Sequence, residues 1–216
     1  MSEPLVTCLC CTKGRREWIP KAIKNFYRQT YKRKELLFVA DCLCDVPAPL
    51  HFPVISRSGF NVGQKRNAGC EFAFGDLIAI WDDDDFSAPG RLSQQVAELE
   101  RSGKSVTGYR AMKFTDGSAW WEFCYPLKDW VLATSMCFRR DWWLDHPFEP
   151  LQVGQDERFC AVAAGAEQLA ECADLDLMYA TIHPGNTSPR NVNRGFPWVP
   201  LPGFQWGESK VLHRQF

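Results

Sequence analysis

The sequence has no apolar run near the roughly 20 residues that a membrane helix needs, so no transmembrane segment is expected. Its start, Met1-Ser2-Glu3-Pro4, lacks the basic-then-apolar pattern of a secretory signal. Net charge is close to absent, −1 over 216 residues, so nothing global argues for a nucleic-acid or membrane partner. No internal repeat and no linker-like stretch interrupts the chain, and a single domain over 1–216 is expected. These absences make a cytoplasmic protein the default. Cysteine is not scarce, with ten residues, but the two-pair Cys-x-x-Cys arrangement of a structural zinc site is missing. Without a signal sequence, disulfides are not expected, and the cysteines read as small buried hydrophobes. A Cys8/Cys10/Cys42/Cys44 metal cluster is the alternative.

What is present is a run of apolar residues that stops in four carboxylates. Leu77 to Trp81 reads as a strand buried on both faces, followed at once by Asp82-Asp83-Asp84-Asp85. Four adjacent negative charges repel one another, so ordering them needs a cation or hydrogen-bond donors. Strand alternation would send Asp82 and Asp84 one way and Asp83 and Asp85 the other. Paired carboxylates at a strand end suit a hard divalent ion with positions left for phosphate oxygens. A solvated acidic turn is the bland alternative.

Around that run the first half alternates strand and helix. Leu5–Cys11 and Glu35–Ala40 read as buried strands and Val54–Ser56 as a short one. Helices are expected from Ile19, from Asn61 through Phe74, and from Pro89. This order is that of a parallel sheet with helices packed on it. Polar residues follow the strands repeatedly: Thr12 and Arg15, Asp41, then Asp82 and Asp84. In open α/β sheets the ligand crevice lies outside those carboxyl ends. Lys13 to Lys34 carries nine Lys/Arg against one acid, Glu17. Most of these read as a solvated face; an anionic ligand, acceptor or membrane surface is the sharper reading.

The second half is more aromatic. Ser105–Phe114, Trp120–Tyr125, Val131–Arg139 and Leu177–Ile182 are β-like. Short helices are expected at Asp141-Trp142-Trp143 and from Val153 through Ala164. The Pro-, Gly- and Trp-rich tail after Pro184 reads as a loop or wrapping segment.

Taken together the motifs resemble a family 2 glycosyltransferase. The resemblance runs from about Val6 to Asn186. It rests on the opening strand and Thr12-Lys13-Gly14-Arg15 loop, with Gly14 where the family has Asn, and on Gln29-Thr30 after the first helix. It continues through Ala40-Asp41, where the family has two Asp, and the Asn61/Gly63/Arg66/Asn67/Gly69 helix. The Gly75–Asp85 block and Gln155-Asp156, with Gln in place of Glu, complete it. The fold so implied is α/β: a single GT-A (Rossmann-like) domain, a mostly parallel sheet flanked by helices, with a small acceptor-side β portion. Its nucleotide-sugar half would cover about 1–100, its acceptor half about 101–186, and a wrapping tail 187–216.

The resemblance implies a metal-dependent inverting transferase that moves a sugar from a nucleotide diphosphate sugar, a UDP-sugar first, to an acceptor hydroxyl. Asp41 would meet the base, Thr12 and Arg15 would flank base and diphosphate, and Arg66 would face the nucleotide. Asp82 and Asp83 would also belong to the nucleotide-sugar site. Asp84, in a DXD-type motif, would bind Mn²⁺ or Mg²⁺, with His183 as a further ligand; a surface-loop histidine is the alternative. Asp156 would be the general base, unless it merely caps its helix. The acceptor stays open between a saccharide, a lipid-linked saccharide at a membrane, and a modified base in phage-type DNA. The rival functions are a nucleotidyltransferase acting on sugar phosphates and a non-enzymatic carbohydrate- or calcium-binding module.

Overall fold

The computed structural model describes residues 3–47, 51–173, 176–188, 191–192, 195 and 197–206. Part of the irregular Pro47–Pro53 stretch (48–50) and the end of the tail (207–216) lie outside the described residues.

The first strand, β1 (Val6–Thr12), is apolar on both faces and is buried on both. It lies between β2 (Lys34–Ala40) and β4 (Leu77–Ile80), parallel to each, and β3 (Val54–Ser56) extends the sheet beyond β2. Helices α1 (Ile19–Arg28) and α2 (Val62–Phe72) make the crossovers on opposite sides. Ile19, Ala22 and Phe26 of α1 face one core with Cys8 and Cys10, while Leu9 and Cys70 belong to the other. Asn61 caps α2 by accepting from the Gln64 amide at 2.9 Å, and the Gln64 side chain returns the bond to the Asn61 amide. Gly69 is where α2 lies against β1: a Cβ there would stand 2.2 Å from Leu9 Cδ1.

Strands β6 (Val106–Gly108), β9 (Cys137–Arg139) and β10 (Leu169–Glu171) complete a seven-stranded sheet in the order β10-β6-β9-β4-β1-β2-β3. Only β9 runs antiparallel to its neighbours. A second sheet joins β5 (Phe86–Ser87), β7 (Ala111–Thr115), β8 (Trp120–Cys124), β11 (Met178–Thr181) and β12 (Trp198–Pro200). Helices α3 (Arg91–Ser102), α4 (Arg140–Asp145) and α5 (Gln155–Gly165) fill the remaining crossovers.

Several expectations change here. The tail is not only loop, because β12 pairs antiparallel with β8 and buries Trp198 against Phe114 and Phe123. Of Val131–Arg139 only β9 is strand. The Ser135 hydroxyl donates to Leu132 O and accepts from the Tyr109 amide, which curls the chain into a short 3₁₀ turn. The strand β10 carried no clear alternation and was not expected. Cys42 and Cys44 form a disulfide across the 3₁₀ turn after β2, against the expectation of none. The four-cysteine metal cluster does not form, since Cys8 and Cys10 are fully buried in the core.

Arg91 ties β4 to its surroundings. It is fully buried and donates to Ile80 O, Thr134 O and the Ser87 hydroxyl, with its guanidinium 5.0 Å from the Trp81 ring. Arg91→Met keeps much of the bulk and removes every donor. We expect it to lower stability by about 3 kcal/mol in urea unfolding, because charged-donor hydrogen bonds to buried carbonyls are lost.

Candidate active site

The parallel strands end on one side, and their ends surround a cleft of about 510 Å³. Thr12, Arg15, Arg66, Asp82, Asp84 and Asp156 line it. Asp41, Asp83 and His183 are not part of its wall, and each meets it through a bonded neighbour.

The four-Asp run does not alternate as an extended strand would. β4 ends at Ile80 and the chain turns at Asp83-Asp84. Asp82, Asp84 and Asp85 therefore border the cleft, while Asp83 lies behind it with no exposed surface. Asp83 accepts from the Thr12 hydroxyl at 2.6 Å and pairs with Arg15 at 3.1 Å. Burial raises its pKa to about 7, although Arg15 and Thr12 pull the other way. Expected at the nucleotide-sugar site, Asp83 lies behind the cleft wall in this structure and holds Thr12 and Arg15. Asp85 accepts from the Thr134 hydroxyl and from the Thr181 amide, and burial, with Asp84 and Asp82 nearby, raises its pKa.

Asp84 is the most heavily engaged carboxylate facing the cleft. Its Oδ2 lies 2.8 Å from Arg15 Nη1, 2.9 Å from His183 Nε2 and 3.4 Å from Asn186 Nδ2. His183 stacks on Trp18 at 4.9 Å, and the Gly185 amide donates to its Nδ1. That bond assigns the remaining proton to Nε2, directed at Asp84. Lys21 reaches across from α1 to Asp84 O and the Thr181 hydroxyl.

Among the described residues no group of three or more His, Cys, Asp or Glu stands ready for a metal. Asp84, which borders the cleft, is the carboxylate that would suit a hard divalent ion. His183 reaches such an ion through Nε2 only in the other tautomer, with the Gly185 amide turned away.

Behind the cleft residues Lys13 and Lys65, Asp41 is held by Lys65 and, at 3.2 Å, by Lys13. Burial pushes the Asp41 carboxyl up, but the bonds from Lys65 and Lys13 outweigh it and leave the pKa below its usual value. Lys65 also donates to Thr12 O at 3.0 Å. Nothing in the sequence distinguishes Lys65 beyond its place beside Arg66 on α2. Arg66 turns instead toward α5. It donates to Gln155 Oε1 at 2.7 Å and stands 4.0 Å from Asp156 Oδ2.

Asp156 sits in the first turn of α5, where the helix dipole favours a carboxylate. Gly154, with φ 85°, occupies the cap position, and Asp156 accepts from the adjacent Glu157 amide. It does not cap its helix, and a quarter of its side chain is exposed toward the cleft (24%).

The family model described as "Glycosyl transferase family 2" matches residues 7–156. The chain belongs to this family. A curated relative, the "Uncharacterized glycosyltransferase YwdF" of Bacillus subtilis (strain 168), is 28% identical over 102 residues, 44% of this chain and 38% of its own. The structure resembles Staphylococcus aureus TarS 1-349 in complex with UDP-GlcNAc, with TM-score 0.69 and 17% identity. That match covers 85% of this chain and 60% of TarS 1-349. It also resembles the mannosyltransferase PcManGT of Pyrobaculum calidifontis in complex with GDP-Man and Mn²⁺, with TM-score 0.63 and 14% identity. There 87% of this chain and 59% of PcManGT are covered. The fold is GT-A. The chain spans less than two thirds of the length of each of these proteins.

The family motifs divide by what they touch. Gln29 and Thr30 fasten α1 to the start of α3 through Ala88 O, Pro89 O and the Leu92 amide. Asn67 holds Phe148 and Trp143. Neither faces the cleft, whereas Thr12, Arg15, Asp82, Asp84 and Asp156 do.

Lys65 is buried against Asp41, while Lys13 is 73% exposed. Lys65→Met should therefore cost about 3 kcal/mol of stability, because a mostly buried pair loses one partner. Lys13→Ala should cost under about 1 kcal/mol. Chemical denaturation of the two variants checks the contrast.

Proposed function

We propose that this chain is one GT-A domain that transfers a sugar, with inversion, from a nucleotide diphosphate sugar to an acceptor hydroxyl. Donor residues fall in about 1–100 and acceptor residues in about 101–186. The observation that carries the reading is the pairing, across one cleft, of Asp84 under the strand ends with Asp156 on α5. UDP is the nucleotide we favour, in keeping with the UDP-GlcNAc complex of TarS. The Mn²⁺ complex of PcManGT likewise favours a divalent ion.

In this reading Thr12 and Arg15 border the diphosphate and base, with Asp41 beside them held by Lys65. Asp82 meets the ribose side. Asp84 would hold Mn²⁺ or Mg²⁺, with His183 joining if its tautomer changes. When bound, the ion offsets negative charge on the leaving diphosphate. Arg15 supplies positive charge at the same carboxylate from the protein itself.

Asp156 acts as the base. The acceptor oxygen forms its bond to the anomeric carbon from the face opposite the diphosphate. The bond between that carbon and the diphosphate oxygen breaks, and the nucleoside diphosphate leaves with the electron pair. The hydroxyl proton passes to Asp156, which needs only hydrogen-bond reach to accept it. Gln155, where the family has Glu, is a neutral acceptor for Arg66, whose guanidinium also stands 4.0 Å from Asp156 Oδ2.

UDP and Mn²⁺ together should raise the melting temperature more than either alone. Asp84→Ala should remove that joint gain. Stabilisation by Ca²⁺ and free sugar without any response to UDP would instead favour a binding module. Asp156→Asn should lower transfer by at least about a thousandfold, consistent with loss of an essential base, while UDP affinity stays within a few-fold by calorimetry. Normal turnover in Asp156→Asn would remove it from the mechanism.

A further inference from the structure

A second hollow, of about 100 Å³, opens beside Asp156 and shares Ala133, Thr134, Val153 and Gly154 with the main cleft. It opens into the main cleft along those residues, so a ligand larger than the hollow can lie with one face in it. Its far side is aromatic. Tyr125 and Trp130 stack with centroids 5.3 Å apart and planes 29° apart. Trp130 packs on the core around Phe138 and Phe159, Tyr125 on the core around Phe114 and Trp198. The pair thus stands at the seam between the two sheets. The only charged lining residues among those described are two carboxylates, Asp156 and Glu157. Burial, with Glu157 and Asp156 contributing, pushes the Tyr125 hydroxyl pKa up, as expected if both acids face the ring.

The other tryptophans of this half are occupied elsewhere. Trp120 packs with Tyr179, Phe204 and Trp206, Trp121 packs on the core around Phe114, Trp142 stacks on His146, Trp143 donates to Asn67, and Trp198 packs on Phe114 and Phe123. Trp130 is the one that reaches the space next to the proposed base.

We propose that this hollow seats the acceptor, and that the acceptor is an uncharged saccharide ring. Its apolar CH face lies on the Tyr125–Trp130 pair, one hydroxyl meets Asp156 and another is read by Glu157. The inference rests on the reading of Asp156 as the base. Phosphate-bearing acceptors, including a nucleic-acid strand, are disfavoured because two carboxylates and, among the described residues, no cation line the hollow. The basic segment Lys13–Lys34 does not alter this. None of its Lys or Arg lines the hollow, and its Lys13 and Arg15 line the donor cleft.

The test uses the whole chain saturated with UDP. Methyl β-glucoside, methyl N-acetyl-β-glucosaminide and glucose 6-phosphate are titrated separately, with binding followed by saturation-transfer NMR. At least one neutral glycoside should bind about tenfold more tightly than the phosphate. Trp130→Ala should weaken that glycoside by about tenfold or more, while Trp130→Phe, which keeps a ring, should restore most of the affinity. Glu157→Arg, at an exposed position, should shift the preference toward glucose 6-phosphate. Equal or tighter binding of the phosphate by the wild type, no binding of either glycoside, or indifference to Trp130→Ala each overturns the proposal. UDP calorimetry run in parallel separates the two levels. Absent UDP binding sinks the transferase reading, whereas intact UDP binding with a phosphate preference sinks only the acceptor assignment.

Discussion

Four carboxylates at the mouth of a buried strand cannot be ordered without compensation, and the way each is compensated shapes the site. Asp83 is fully buried against Thr12 and Arg15. Asp85 is bonded by Thr134 and the Thr181 amide. Asp84 gathers Arg15, His183 and Asn186 at one oxygen. Those partners come from the end of β1, the loop before α1, the turn before β9 and the segment after β11. Lys21 and Asn25 of α1 add bonds to the backbone carbonyls of Asp84 and Asp85. Neutralising one acidic turn thereby brings both sheets and the first helix to one cleft.

The fold was legible because its strands are long, apolar and regularly spaced between helical repeats. Strand ends carrying polar residues, Thr12, Asp41 and Asp82, indicated which edge of the sheet would matter, and the cleft lies there. What periodicity could not supply was the geometry of the turn. Strand alternation pairs Asp83 with Asp85, but the turn at Asp83-Asp84 puts Asp85 beside Asp84 and hides Asp83. In the same way, the motif alone directs Arg66 toward the nucleotide. Neighbours on a helix are about 100° apart, so Lys65 faces Asp41 while Arg66 faces α5. The motifs at Gln29-Thr30 and Asn67 are fastenings of the fold, a distinction that spacing alone does not carry. The Cys42–Cys44 pair depends on a local turn, and β12 on tertiary burial of Trp198; neither leaves a pattern in sequence.

The two faces of the cleft differ in electrostatic character. Under the strand ends cations gather: Lys13 and Lys65 pair with Asp41, Arg15 pairs with Asp84, and Lys21 donates to the Asp84 backbone carbonyl. At α5 the Arg66 guanidinium is held by Gln155 near Asp156. Such a division suits a reaction in which negative charge gathers on the leaving diphosphate while a proton is taken up at the other wall. Pre-placed side chains with buried partners give that arrangement little freedom to relax.

In the proposed reaction Asp84, rather than its three neighbours, is the carboxylate that meets the donor's cation. Anomalous diffraction from crystals grown with UDP and Mn²⁺ decides between them. We predict a manganese peak within ligand distance of the Asp84 carboxylate, on the cleft side and adjacent to the diphosphate. A peak held by Asp82 or Asp41 without Asp84, or UDP bound in full occupancy with no manganese peak in the cleft, would contradict it.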